Sequence, residues 1–158
     1  MRIHFNKLPK IKGLNYKSTI DLNEDRDVIG LLGEKAVASV LEAEWGEYRT
    51  PDKKGDSFDF KAGKERVDVK SSTLYKGANP YQGRLLVRDG SKPMDRYIFC
   101  KVDLKSKDVY IVGTITYNDF QEICRPFEGK YPCQSIYIEE LDSFEEYAEK
   151  IKETQANS

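Results

Sequence analysis

Four side chains in this sequence have the types and spacing for chemistry on a phosphate: Glu34, Asp59, Asp68 and Lys70. In "GDSFDFKAGKERVDVKSS", Gly55 to Ser72, strand-like alternation sends Val67 and Val69 to one face and Asp68 and Lys70 to the other. One strand thus presents an acid beside an amine. Asp59, flanked by Phe58 and Phe60, repeats the pattern, and a hairpin turn at Gly63 and Lys64 brings it near Asp68. Two carboxylates with a main-chain carbonyl, here that of Val69, suit a hard divalent cation such as Mg²⁺, with Mn²⁺ as the expected substitute. Lys70 is then placed to orient the attacking water, or help deprotonate it, and to offset charge developing on a phosphate. That is metal-assisted phosphodiester hydrolysis. Taken alone, a D-x-K triplet is also an ordinary surface ion pair of little energetic worth, and short motifs often match by chance.

The elements around these residues sharpen the pattern. From Asp25 to Trp45 the apolar positions Ile29, Leu32, Val37, Val40 and Leu41, with Gly33 and Ala36 between them, follow the spacing of a helix with one buried face. Glu34 lies roughly 100° round from the middle of that stripe, where a carboxylate reaches the rim of whatever the helix packs on. Trp45 reads as core. After a turn at Pro51, "SFDFKA" and "RVDVKSS" form the hairpin. Asp56 is the alternative to Asp59 as metal ligand, although its place after a glycine reads as turn chemistry. Further strands are expected at "GRLLVRD", "RYIFCKVD", "DVYIVGTI" and "QSIYIEE", with "KSK" around Ser106 turning a second hairpin. "TYNDFQEIC" begins like a capped helix, and "SFEEYAEKIKE" is a helix with Ser143 and Glu146 at capping-box spacing.

Size and charge set the frame. A chain of 158 residues, 34% charged and 11% aromatic, is expected to be one soluble cytoplasmic domain without a membrane span. Within it, 1–22 read as a basic arm or edge strand, 25–120 as the core and 134–158 as a closing strand and helix. Cys100, Cys124 and Cys133 have no zinc spacing, and His4 is the only histidine, which disfavours Ser/His/Asp and Cys/His catalysis. Charge is segregated: residues 53–107 hold 14 basic and 7 acidic residues, whereas 108–158 hold 4 and 11. The basic block surrounds the D-x-K strand and is an electrostatic footprint for phosphate, or else a solvated strand surface.

Helix with Glu34, strand with Asp59, strand with Asp68-Val69-Lys70: in this order the parts resemble the PD-(D/E)XK nuclease superfamily, over about Asp25 to Phe120. The resemblance implies an α/β, restriction-endonuclease-like mixed central β-sheet flanked by helices. It also implies a Mg²⁺-dependent endonuclease in which Glu34, Asp59 and Asp68, with the Val69 carbonyl, hold the metal while Lys70 positions water. DNA is the expected substrate, with RNA left open, and a homodimer would cut two strands. Lys61, Lys64, Arg66, Ser71, Lys76 and Arg84 are the candidate nucleic-acid contacts, and the Tyr75–Arg84 loop is either a substrate-contacting loop or an ordinary surface loop. Phe58 stands where the superfamily pattern has proline. The rival reading is a non-catalytic nucleic-acid-binding or protein-interaction module of the same fold.

Overall fold

The computed structural model describes residues 1–8, 22–44 and 59–157. Asp56 and Trp45 lie outside them, as does most of the expected basic arm. The described residues form a mixed α/β fold of two sheets and three α-helices. The larger sheet contains β1 (Arg2–His4), β2 (Phe60–Ala62), β3 (Glu65–Thr73), β5 (Arg96–Asp103) and β6 (Asp108–Thr116), in the order β1-β6-β5-β3-β2. The smaller sheet contains β4 (Arg84–Arg88), β7 (Arg125–Phe127) and β8 (Cys133–Tyr137), in the order β4-β8-β7.

Hydrophobic periodicity decides which element covers which face. The stripe on α1 (Leu22–Leu41) includes Val28, Ile29, Leu32, Ala36, Val37 and Leu41 and packs with Val67 and Val69 of β3 and Ile98, Cys100 and Val102 of β5. Phe144, Tyr147, Ala148 and Ile151 of α3 (Phe144–Ala156) join the same core. Alternation along β5 turns Tyr97 and Phe99 to the opposite face, where they meet Leu85 and Val87 of β4, Ile136 of β8 and Phe120 of α2 (Tyr117–Ile123). The main sheet therefore has helices on one face and the small sheet with α2 on the other.

The β3–β5 pair is parallel and sets Asp68 beside Tyr97 and Lys70 beside Phe99. A parallel pair needs a crossover, and here the chain makes it through β4 in the other sheet. The expected hairpins form: β2 pairs antiparallel with β3 through the Gly63 turn, where φ is +59°, and β5 pairs with β6. Both predicted helix caps are present, with Asp119 N donating to Thr116 Oγ1 and Glu146 N to Ser143 Oγ. The first residues form an edge strand on β6, one of the two outcomes expected for them.

One glycine governs how closely α1 approaches the sheet. A Cβ built on Gly33 would overlap the Ser71 hydroxyl and lie 3.1 Å from the Ser71 Cβ. That hydroxyl is buried with no hydrogen-bond partner, beside the Cys100 thiol, which is a weak one at best. Gly33→Ala would gain about 1 kcal/mol of helix propensity, but overpacking typically costs ~1–3 kcal/mol. We expect a net loss of about 1 kcal/mol by urea denaturation for Gly33→Ala, and recovery of most of it in Gly33→Ala with Ser71→Ala. Simple additivity of the two substitutions would contradict this contact.

Candidate functional site

The short β2 strand creates the site. It pairs with β3 only from Phe60 to Ala62, so beyond that point the edge of β3 is met by Asp59. The Asp59 main chain donates to Val67 O at 2.8 Å, and its Oδ2 accepts from Val69 N at 2.7 Å. A strand residue turns its N–H and C=O to the same edge, which places the Val69 carbonyl on the Asp59 side as well. Asp68 and Lys70 project from β3 to the face occupied by Tyr97. There the Lys70 Nζ is 2.8 Å from Asp68 Oδ2 and 5.9 Å from the centre of the Tyr97 ring. The expected shared face for the acid and the amine is thus present.

Glu34 arrives from α1. It is only 7% exposed, and its carboxyl hydrogen-bonds to that of Asp59, which in turn hydrogen-bonds to that of Asp68. Glu34, Asp59, Asp68 and Lys70 therefore stand in series, three acids ending on an amine. Hydrogen bonds between carboxyls require protons, and the same contacts bear on the acidity of each group. Burial, then the Glu34 hydrogen bond and charge, push the Asp59 carboxyl up to about 7 against the pull of the Asp68 hydrogen bond and, after it, the Val69 N–H. Burial and then the Asp59 charge push Asp68 up to about 7, with Lys70 opposing. The two titrate as a coupled pair.

Oxygen-only donors in a largely buried carboxyl cluster match a hard divalent cation in type. They are arranged here as partners of one another, and among the described residues no three His, Cys, Asp or Glu side chains are grouped as a ready-made ligand set. A cation bound at this edge would replace the shared protons as the balancing charge.

The candidate nucleic-acid contacts separate into two groups. Lys61 and Lys64 are exposed on the β2–β3 hairpin, Lys76 is exposed in the following loop, and Arg84 is exposed on the small sheet. Arg66 instead spends its charge on Asp95, donating to it from its main chain at 2.7 Å and from Nε at 3.2 Å, which holds the Asp95 carboxyl below its usual range. Ser71, which the sequence left as either a phosphate contact or a strand-ending residue, turns its hydroxyl under α1 against Gly33.

Tyr97 was not anticipated. It is fully buried, it forms the floor beneath Lys70, and its hydroxyl has no partner. The available signal was its alignment with Asp68, visible only once the parallel register of β3 and β5 is known. No helix among the described residues is long and apolar enough to cross a membrane. Comparison with known proteins finds no matching family model, curated protein or solved structure.

Proposed function

We propose that this protein is a Mg²⁺-dependent DNA endonuclease of restriction-endonuclease-like fold, hydrolysing phosphodiester bonds at the Glu34, Asp59, Asp68 and Lys70 site. The observation that carries this reading is the series of three carboxyls, Glu34 buried and Asp59 and Asp68 partly buried, beside the β3 strand and ending on a lysine 2.8 Å from Asp68. Nothing in folding needs such a cluster, because burying acids together costs free energy that apolar side chains would not. Asp59, Asp68 and Glu34, with the Val69 carbonyl, would hold the cation. When bound it would supply charge stabilisation for the pentacoordinate phosphate and a lowered pKa for water. Asp59 is held in place by the Val69 N–H, and Lys70 by Asp68 and the Tyr97 ring. A lysine so fixed can orient a water for in-line attack and lend positive charge to the phosphate. Exposed Lys61 and Lys64 on the adjoining hairpin would draw the phosphate backbone toward the edge.

The test is a Mg²⁺ and Mn²⁺ titration against supercoiled, linear duplex, flapped and single-stranded DNA, with RNA as a further arm. Calorimetry of Mn²⁺ binding runs beside it. Cleavage that needs the cation, with Mn²⁺ heat lost in Asp59→Ala, is the expected outcome. Absence of both cleavage and Mn²⁺ binding would favour a non-catalytic module of the same fold instead.

A further inference from the structure

The outer face of the small sheet has no role in the site just described. Alternation in β4 turns Leu85 and Val87 inward and leaves Arg84, Leu86 and Arg88 exposed. Register places Arg84 against Tyr137 and Leu86 against Ser135 of β8, and Arg125 of β7 against Ser135 from the other side. Cations and rings interleave across this face. The Arg84 guanidinium lies 5.4 Å from the Phe127 ring centre and 5.0 Å from that of Tyr137, Arg88 lies 4.1 Å from Tyr131, and Arg125 lies 5.3 Å from Tyr137. Tyr131, Tyr137 and Leu86 stay exposed, at 46%, 38% and 45%. The remaining exposed large hydrophobics among the described residues, Tyr75 and Tyr81, sit in the loop that feeds β4.

From this pattern we infer that the outer face of β4-β8-β7 binds an unpaired DNA strand. This rests on the reading that the protein acts on DNA and adds where a single-stranded portion of the substrate would lie. Bases stack on exposed rings and on guanidinium planes alike, and the same arginines meet phosphates. Rings and arginines of this kind also furnish protein interfaces, and a second copy of the chain is the rival occupant that the experiment below tests. Arg125 is already paired with Glu140, at 2.7 Å and 3.0 Å, so the cations assigned to phosphate are Arg84, Arg88 and Lys130, whose Nζ lies 5.7 Å from the Tyr131 ring centre. At one end the face opens into a depression lined by Pro126, Phe127, Tyr131 and Pro132, with Asp89 and Glu128 also in its lining. Those two carboxylates repel phosphate but accept from exocyclic amines of bases, which suits a base inserted edge-first.

The experiment is fluorescence anisotropy with a labelled mixed-sequence single-stranded DNA, in chelator so that no cleavage occurs, over a series of salt concentrations. Three phosphate contacts predict a slope of log K against log salt of about −2. Arg88→Ala should weaken binding and make the slope shallower by about 0.7, and Tyr131→Ala should weaken binding about tenfold. Both side chains are exposed, so far-ultraviolet circular dichroism should be unchanged. Wild-type affinity in the Arg84→Ala, Arg88→Ala and Tyr131→Ala triple variant overturns the inference. So does tighter binding of blunt duplex or of RNA of equal length. A shift from dimer to monomer in that triple variant, with DNA binding intact, would assign the face to a second copy and also overturn it. Cleavage of duplex DNA is measured separately. Binding without cleavage under any metal removes the nuclease reading and leaves this face standing, and cleavage without single-strand binding does the reverse.

Discussion

Asp68→Asn should abolish metal-dependent cleavage while leaving the metal-free protein at least as stable as the parent. A loss of at least about 10³-fold corresponds to several kcal/mol of transition-state stabilisation that the cation no longer supplies. Stability moves the other way for a specific reason. With its carboxyl pushed up to about 7 by burial and by Asp59, Asp68 is poorly suited to carrying a charge without a cation beside it. An amide of the same shape keeps a donor toward Asp59 and removes that conflict. Lys70 loses its partner, but it is 34% exposed and retains the Tyr97 ring beneath it, so this loss should cost less than about 1 kcal/mol. Lys70→Met provides the contrast: cleavage down by about 10²–10⁴-fold, in the range of a lost proton-handling group, with Mn²⁺ binding retained. Circular dichroism melts, Mn²⁺ calorimetry and a plasmid-nicking assay on both variants decide the matter. If Asp68→Asn still cleaves at the parental rate, the site is elsewhere. If Lys70→Met abolishes Mn²⁺ binding as well, Lys70 is part of the scaffold of the site and not the group that acts on water.

What the sequence made legible here follows from the reach of each signal. Period-2 and period-3.6 patterns are local, and they placed the long helix, the β2–β3 hairpin, the β5–β6 pair and both capped helices close to where they lie. The shared face of Asp68 and Lys70 is also local, since it needs only one strand. Which strands leave the main sheet is not local. "GRLLVRD" and "QSIYIEE" alternate as β4 and β8 do, yet nothing in either says that they pair with each other and not with β3. Strand β7 was missed because "RPF" is three residues long and contains a proline, a poor strand former tolerated at a sheet edge. Glu34 was expected at the rim of the core, and α1 instead buries it, because Gly33 lets the helix settle against Ser71. That depth makes it a hydrogen-bond partner of Asp59. The Arg66 and Asp95 pairing was equally hidden, being a contact between residues far apart in the chain.

The same buried acids give the metal-free protein an unusual pH response. Asp59 and Asp68 have folded values raised from 3.8 to about 7, so between those values the folded chain holds protons that the unfolded chain releases. Stability is therefore expected to fall as pH rises from about 4 to about 7 and to level off above that. The slope is at most about 1.4 kcal/mol per pH unit for each group, and because the two titrate as a coupled pair their losses do not simply add. Carboxylates with the opposite shift, among them Asp95, Asp108 and Glu140, lie below their ordinary values and complete their contribution by about pH 5. Urea denaturation from pH 5 to pH 8 isolates the site from them. The double variant Asp59→Asn with Asp68→Asn should flatten the curve over that range. A cation that takes the place of the protons should then stabilise most where the protons have left. At one hundred times its Kd it adds about 2.7 kcal/mol, a rise in Tm of roughly 5–10 °C for a chain of this size. That rise is expected in Mn²⁺ at pH 8 and should nearly vanish at pH 5.5, where binding must first displace the shared protons. Equal stabilisation at both pH values would place the cation at some other set of groups, because only carboxyls raised this far compete with it for protons in that range.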